Sequence, residues 1–465
     1  MRFSFLFIFL LAKPISSFCQ KVTTGSPAQS IPIFRDKMDS ISFAELDKII
    51  KATKLQRPAK EDKKMDEKLD SALRKYNELL KSSIGQRYVY MPRFILLDSL
   101  TTKEERKYAT QVTIYKLKSG KLPIELFECE NIERLELVNT SIDTIQSEVE
   151  KLKELKTIEI YNNKPGKQLR FGENNTITRL IIRGENEKLI PIDYSNLKAL
   201  EILDLCRNNL TRFPVIKKNK KLTDLLLVDN SLKKLKVNGR KLPPIKKVDL
   251  RYNQIKKLGG SIGKLSSLRT LFLNFNAISK VGMRVGRLKN LEYLSLYENQ
   301  LVEIPTSFYQ LTSLINIDLY YNHIEHIKPG IAKWKKLSVL HIANNRIYDL
   351  PANIGDLQSL RELYSYNNRL TTLPKSLDRL TQLKVLRVND NYLDSFPYQA
   401  LSMPNLQQLD ISNNRITSLP KEIFKFEHFQ ILGLQGNQWN EPSKEFIETE
   451  SQRLRKQGAV VLLDE

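Results

Sequence analysis

The sequence predicts an α/β solenoid with about 15 short parallel strands on its concave face. One observation is a leucine pattern, L-x-x-L-x-L-x-x-N-x-L, which occupies residues 200–210, 222–232 and 291–301. The other is its period: the asparagine position recurs at 120, 140, 163, 185, 208, 230, 253, 276, 299, 322, 345, 368, 391, 414 and 437, in steps of 23 residues from 253 onward. Twelve of these fifteen positions hold Asn, and the exceptions are Gly120, Thr140 and Glu185.

The physical basis of the pattern is the two-residue repeat of a strand. Leucines two positions apart point to the same face, and a single 23-residue coil cannot bury that face alone. Stacked coils bury it against one another. The asparagine follows the strand where the chain bends, so its amide is expected to bond unpaired main-chain groups and the neighbouring asparagines. The sequence therefore predicts a structural row of asparagines inside the array.

The second half of each unit, as in Leu350-Pro351-x-x-Ile354-Gly355-x-Leu357, resembles the leucine-rich-repeat family. It is similar to the 23-residue class found in Ras-associated plant and animal intracellular proteins and in bacterial ones. The resemblance covers about residues 110–440 and implies a right-handed horseshoe that serves as a binding scaffold. The departures from the pattern are Leu258-Gly259, Val281-Gly282 and Ile327-Lys328 in place of Leu-Pro, and Ser365 in place of an inward leucine.

The domain organisation has four parts. Residues 1–19 are predicted to be a signal peptide, because Arg2 precedes a short apolar run, Phe3–Ala12, and small residues stand before Gln20. The alternative is a buried N-terminal element. Residues 20–108 are predicted to be a partly helical region, 109–440 the solenoid, and 441–465 a cap formed by a helix and then a strand. We therefore expect an exported protein without a membrane span, or alternatively a cytoplasmic one.

The region 20–108 carries two helix patterns. Ser42 and Glu45 form a capping box, and apolar residues keep helical spacing from about 61 to 82. We expect a helix pair that leans on the first repeats; a separate partner-binding helix is the alternative.

The search for catalytic or metal-binding groups gives none. Cys129 and Cys206 lie in distant repeats and are expected to be small apolar core residues. His323, His326, His341 and His428 lack acidic or cysteine ligands at matching spacing. The stretch 259–264 lacks the spacing and the hydroxyl residue of a phosphate loop. We therefore predict a protein that is not an enzyme and needs no metal or cofactor.

The candidate binding site is an aromatic patch on the concave face. Residues between the inward leucines are expected to project from this face, and many of them are aromatic. The predicted partner-binding residues are Tyr252, Phe272, Phe275, Tyr293, Tyr297, Tyr320, Tyr321, His341, Tyr364 and Tyr366. Exposed aromatic groups at this density are typical of recognition surfaces. The alternative is a ladder of rings that stabilises the sheet.

Charge limits the choice of partner. The whole chain carries a formal charge of +23, yet the outward strand positions of the units from 208 to 437 hold four basic and nine acidic residues. The basic excess must lie elsewhere, for example in the run Lys217–Lys221. Nucleic acid is therefore not expected in the concave groove. The sequence predicts a monomeric scaffold that binds a protein, peptide or glycan. One alternative is an envelope protein that adheres to anionic polymers through its basic convex side. Another is an intracellular signalling scaffold.

Overall fold

The structure is a computed structural model that describes residues 94–464 except 165, 167, 185–191, 217, 240 and 427–428. The predicted signal peptide and the predicted helix pair lie outside the described residues, and so do Glu185 and His428.

The regular secondary structure of the described residues consists mostly of short strands and single 3₁₀ turns. The strands are β1 (Ile95–Leu96), β2 (Gln111–Tyr115), β3 (Arg134–Val138), β4 (Thr144–Ile145), β5 (Thr157–Tyr161), β6 (Leu169–Phe171), β7 (Arg179–Arg183), β8 (Ile192–Asp193), β9 (Ile202–Asp204), β10 (Asp224–Leu226), β11 (Lys247–Asp249), β12 (Lys257–Leu258), β13 (Thr270–Phe272), β14 (Lys280–Val281), β15 (Tyr293–Ser295), β16 (Asn316–Asp318), β17 (Val339–His341), β18 (Glu362–Tyr364), β19 (Val385–Arg387), β20 (Gln408–Asp410), β21 (Ile431–Gly433) and β22 (Val460–Leu462).

Two α-helices, α1 (Lys103–Tyr108) and α2 (Glu441–Lys456), lie near the ends of the array. The 3₁₀ turns are Leu97–Ser99, Ile124–Glu128, Ser147–Lys151, Gly260–Lys264, Met283–Arg287, Phe308–Gln310, Pro329–Lys333, Ile354–Asp356, Lys375–Arg379, Tyr398–Ser402 and Lys421–Lys425. Each of them follows a strand, so the coils that carry one have a strand side and a turn side.

Seventeen of the strands form one parallel sheet, and each strand pairs with the next coil of the chain. Paired residues from β11 to β21 are 23 positions apart, as in Thr270 with Tyr293. The solenoid of short parallel strands is therefore confirmed. The strand that the repeat pattern does not predict is β1, which pairs with β2 through Ile95 and Val112 and covers the sheet edge.

A second row of short pairings lies where each coil turns back. It consists of β4, β6 and β8, of β12 and β14, and of single bridges such as Lys234 with Lys257 and His326 with Asp349. These bridges place residues of equivalent repeat position side by side. Charges along this row therefore face one another from coil to coil.

The core is the space between the two rows. The inward leucines of every repeat are buried, and Trp334 and Phe308 are the largest fully buried side chains. The indole nitrogen of Trp334 donates to the Phe308 carbonyl at 3.0 Å. Ser365 is fully buried at its leucine position, and its hydroxyl has no hydrogen-bond partner among the described residues. This is the polar interruption of the core that the sequence indicates.

The asparagine row is internal and bonded at each repeat. In a representative coil, the Asn299 amide nitrogen donates to the carbonyls of Leu273 and Leu296 at 3.0 Å each, and its oxygen accepts from the Ile278 amide at 2.9 Å. The partners belong to the same coil and to the preceding coil, so each side chain joins two repeats. The prediction that the side chains also bond one another is wrong for the regular repeats, because main-chain groups take both ends of each amide; Thr140 with Asn163 is an exception at 2.7 Å.

The ends of the array are covered by different elements. Thr102 and Glu105 form a capping box at the start of α1. At the other end, α2 begins at a cap made by the Asn440 side chain, buries Ile447 and Leu454, and leads to β22, which pairs with β21. The helix and the strand both follow the last repeat. Among the described residues no helix is long and apolar enough to cross a membrane.

Candidate ligand-binding site

The site begins with a backbone feature that every regular repeat shares. The residue just before each asparagine of the row has a positive φ. The angle lies between 51° and 57° in Tyr252, Phe275, Tyr321, Asn344 and Asn367. Asparagine tolerates this left-handed conformation better than most residues, whereas bulky side chains adopt it at a cost of about 1–2 kcal/mol. Three repeats nevertheless place an aromatic residue there. Compensating contacts of the rings are therefore expected.

Those contacts are present. The Tyr252 and Phe275 rings are stacked, with centroids 4.2 Å apart and planes 7° apart. Phe275 contacts Tyr297 at 4.8 Å, and Tyr297 contacts Tyr320 at 5.1 Å and Tyr321 at 6.0 Å. The chain of rings thus crosses four consecutive coils without a gap.

The series of connected rings continues beyond Tyr320 around His341. The His341 ring lies 4.8 Å from Tyr320, 5.0 Å from Tyr364 and 6.1 Å from Tyr366. Tyr320 and Tyr366 are 5.9 Å apart and flank the coil that contains the small, buried Ala343. We call the eight connected rings the aromatic band; they are Tyr252, Phe275, Tyr297, Tyr320, Tyr321, His341, Tyr364 and Tyr366.

Two of the ten predicted residues lie outside the band. Tyr293 is 43% exposed and makes no ring contact among the described residues. Phe272 lies against the Arg251 guanidinium, at 5.5 Å from ring centroid to carbon. The structure thus brings eight of the ten side chains together and leaves these two at the side of the band.

Exposure within the band is lower than the sequence suggests. Phe275 is only 8% exposed, and the other rings of the band are half-buried. Burial raises the pKa of Tyr297 and Tyr320 well above the ordinary tyrosine value, and it raises the pKa of Tyr366 to about 12. These phenols are therefore neutral at physiological pH and act as hydrogen-bonding apolar groups rather than as acids.

The acidic residues of the concave face are largely engaged. Asp249 pairs with Arg251 at 2.7 Å, and Asp318 accepts a hydrogen bond from the Ser295 hydroxyl at 2.8 Å. The Tyr364 hydroxyl donates to Glu362 at 2.8 Å. The acidic excess counted from the sequence is therefore partly neutralised within the face, and the band has a mixed polar margin.

The first repeats hold a buried polar group that the sequence reasoning missed. Glu136 and Glu159 are paired in register and almost fully buried, with hydrogen bonds from Thr113 at 2.7 Å and from Tyr161 at 2.8 Å. The Arg183 guanidinium donates two hydrogen bonds, of 2.7 and 2.6 Å, to the Asp204 carboxylate. The sequence signal that could have indicated these buried carboxylates is an acidic residue between two inward apolar residues, as in Leu-Glu-Leu at 135–137.

His341 makes the concave face sensitive to pH. Burial lowers the pKa of His341, and the nearby Asp318 and Glu362 partly oppose this shift while Arg387 reinforces it. The Asp318 carboxylate lies 3.7 Å from the His341 ring nitrogen Nδ1. The folded protein therefore keeps this imidazole neutral at pH values where an unfolded chain would take up a proton.

We expect the free energy of unfolding to fall as the pH is lowered below about 6.5, because the unfolded state then binds a proton that the folded state resists. The loss should develop between the unfolded-state pKa and the lower folded-state pKa, and should level off below the latter. His341→Gln should remove this slope in urea unfolding between pH 7.5 and 5.5. His326→Gln, at an exposed histidine, is the control; an unchanged slope in the His341 variant would contradict the assignment.

The remaining candidates for chemistry are dispersed. Cys129 and Cys206 are buried thiols, and burial raises the pKa of Cys129 to about 11. Among the described residues no three His, Cys, Asp or Glu side chains converge to hold a metal ion.

The parallel sheet, the buried leucines and the bonded asparagine row define the class of fold: the described residues form a leucine-rich-repeat solenoid. Residues 321–448 match the family model of the leucine-rich repeat region, and residues 290–311 match that of the leucine-rich repeat. A comparison with curated protein sequences gives no match.

Solved structures share the fold. A leucine-rich-repeat protein of Leptospira interrogans is 24% identical, and the alignment covers 80% of this chain and 100% of that chain with a TM-score of 0.60. The functional domain of InlJ from Listeria monocytogenes is 19% identical, with coverage of 73% of this chain and 70% of that chain and a TM-score of 0.52. At these identities the likeness concerns the fold.

Proposed function

We propose that the protein is an exported, non-catalytic scaffold that binds a protein, peptide or glycan ligand across the aromatic band. The observation that carries the proposal is the placement of Tyr252, Phe275 and Tyr321 at left-handed positions that hold Asn in other repeats. A fold that needed only a turn there would be served by asparagine. Retaining aromatic rings at a backbone cost is typical of functional positions.

The shape of the band favours an extended ligand. It follows the sheet across consecutive coils from Tyr252 to Tyr366, and neighbouring strands lie about 4.8 Å apart. Tyrosine rings offer apolar area together with a hydroxyl, so a peptide with alternating apolar side chains or the flat face of a sugar ring suits them. Tyr293, exposed beside the band, widens the contact surface.

The ring ladder also contributes to stability, which limits the choice of test. Tyr297 and Tyr320 each contact several rings, and their removal would disturb the sheet. Asparagine at 252, 275 and 321 also removes ring contacts, but it relieves the backbone cost at the same positions, because Asn344, Asn367 and Asn413 already hold the same conformation.

The test uses Tyr252→Asn/Phe275→Asn/Tyr321→Asn and, as a control, Tyr398→Asn at an exposed tyrosine of a 3₁₀ turn. Probes are a random peptide display library and a glycan array, each screened with the full chain. Ligands that the native protein selects should lose affinity about tenfold or more for the triple variant and keep it for the control. Equal affinity for the triple variant, at an unchanged melting temperature, would show that the band is only a structural ladder.

A further inference from the structure

Most of the net charge of the protein is concentrated in one segment. Residues 231–290 contain sixteen lysines and arginines and a single acidic residue, Asp249, so this segment carries +15 of the total +23. Asp249 lies on the concave face and pairs with Arg251 at 2.7 Å. The turn side of these coils therefore has no acidic residue of its own.

Three of these lysines form a ladder. Lys234 bridges to Lys257, and Lys257 pairs with Lys280 in the next coil, all in the outer row of pairings. All three are exposed, and among the described residues they form no ion pair. Like charges directly opposite one another destabilise a sheet. This arrangement therefore carries a cost for the fold.

The same row is neutralised in the following repeats. At the equivalent positions it holds Glu303, His326 and Asp349, where His326 lies 3.3 Å from Asp349. Glu303 pairs with Lys328 at 2.6 Å. The lysine ladder is thus particular to three coils and is not a general property of the row.

A cavity of about 540 Å³ opens beside the ladder. Its lining combines four cations with small polar and apolar residues: Lys236, Lys257, Lys264, Arg284, Asn238, Ser261, Val237, Met283, Gly260 and Gly282. It lies where two successive coils replace the usual Leu-Pro with Leu-Gly or Val-Gly. A Cβ on Gly282 would lie 2.8 Å from the Gly260 nitrogen, so the chains approach too closely for any side chain there.

We infer that this surface binds an extended anionic polymer that carries sulfate or phosphate groups and no bases. We call it the basic outer site, formed by Lys234, Lys236, Lys257, Lys264, Lys280 and Arg284. Its cations span three coils, so an anion with several charges can engage them together, whereas a single small ion reaches only a few. No aromatic residue lines the cavity, so the site lacks the stacking platform that single-stranded nucleic acids need.

The site is separate from the aromatic band and does not rest on the proposed function. Its affinity should be electrostatic and should fall steeply with salt, because each neutralised anionic group releases bound counterions. The ladder should also become more favourable when an anion lies between its lysines.

The binding test compares two triple variants that remove the same charge. Lys257→Gln/Lys264→Gln/Arg284→Gln removes three positive charges from the cavity lining. Lys218→Gln/Lys220→Gln/Lys221→Gln removes three from exposed lysines of another turn. Probes are a labelled heparin dodecasaccharide, for sulfate, and a linear polyphosphate of equal charge. The first variant should bind at least one of them about tenfold more weakly, and its salt slope should shrink by roughly two to three. The control should change less than about twofold.

Equal losses in both variants would mean that net charge alone attracts the polymer, and would overturn the site. Tighter binding of a single-stranded oligonucleotide than of either probe, lost in the first variant only, would replace the proposed ligand with nucleic acid. The probe whose binding weakens in the first variant shows whether the site takes sulfate or phosphate groups. Tyr252→Asn/Phe275→Asn/Tyr321→Asn should bind both probes unchanged, so failure here is distinguishable from failure of the concave-face proposal.

A second measurement does not depend on a ligand. Lys257→Gln alone should raise the melting temperature by roughly 1–2 °C at low ionic strength, because it removes the central charge of the ladder. The gain should vanish in 0.5 M salt as the repulsion is screened. No gain at low salt would show that the lysines do not repel one another, and would remove the energetic argument for an anionic partner.

Discussion

Replacement of Asn299 with alanine is expected to destabilise the array by about 3–5 kcal/mol. The substitution leaves the Ile278 amide without its partner. It also removes one of two amide donors from the Leu273 and Leu296 carbonyls, which keep the amides of Asn276 and Asn322. Asn299 itself is 5% exposed, so water has little access to these groups. A buried amide without a partner costs about 1–3 kcal/mol, and each of the two further hydrogen bonds that are lost contributes about 0.5–1.5 kcal/mol.

The measurement is urea unfolding, with hydrogen exchange to locate the loss, because repeat arrays can unfold in parts. The control is Asn290→Ala, at an exposed asparagine whose amide nitrogen bonds a single carbonyl, that of Ser266, at 2.9 Å. The control should lose less than about 1 kcal/mol. If both variants lose the same amount, the row does not join the coils as the geometry indicates.

The double variant Ile447→Ser/Leu454→Ser is expected to release α2 and to destabilise the C-terminal coils by about 5 kcal/mol. Both side chains are buried under the helix, and Phe446 contacts Phe424 at a centroid distance of 6.0 Å. The same helix leads to β22, which provides the last pairing of the sheet at Ile431 and Val460. Without the cap, β21 becomes an open edge.

The matched control is Glu445→Ser/Glu448→Ser, on the exposed face of the same helix. Hydrogen exchange should show that protection of β20 and β21 falls first in the buried-face variant, and light scattering should show association through the open edge. Uniform loss of protection along the whole array would indicate instead that the solenoid unfolds as one unit.

The aromatic band joins the stability of the fold to its proposed recognition role. Phe275 is left-handed and 8% exposed, so its ring contributes mainly by positioning the Tyr252 and Tyr297 rings that it contacts. Tyr293 is the opposite case, exposed and outside the ladder. The two interpretations drawn from the sequence, a binding patch and a structural ladder, therefore concern different members of the same group of residues.

The repeat pattern alone was sufficient for the architecture, because a leucine period of 23 residues admits one way of burying the apolar face. The asparagine row and the choice of inward residues follow from the same period. The pattern does not extend to β1, where the pairing of Ile95 with Val112 lies outside the repeats. It also does not tell whether the side-chain amide of each asparagine bonds main-chain groups or another side chain, since that depends on the distances between coils.

Sequence by itself determined that this chain is a solenoid with a leucine interior, an asparagine row and aromatic residues on one face, because strand and coil periodicity assign every residue to a side. Only the tertiary structure decided which of those residues touch. It joined Tyr252 and Tyr366 in one connected group of eight rings, left Tyr293 apart, and aligned Lys234, Lys257 and Lys280 beside a cavity. The physical reason is that side-chain contact and charge repulsion depend on the lateral spacing of stacked coils, which a one-dimensional period does not contain.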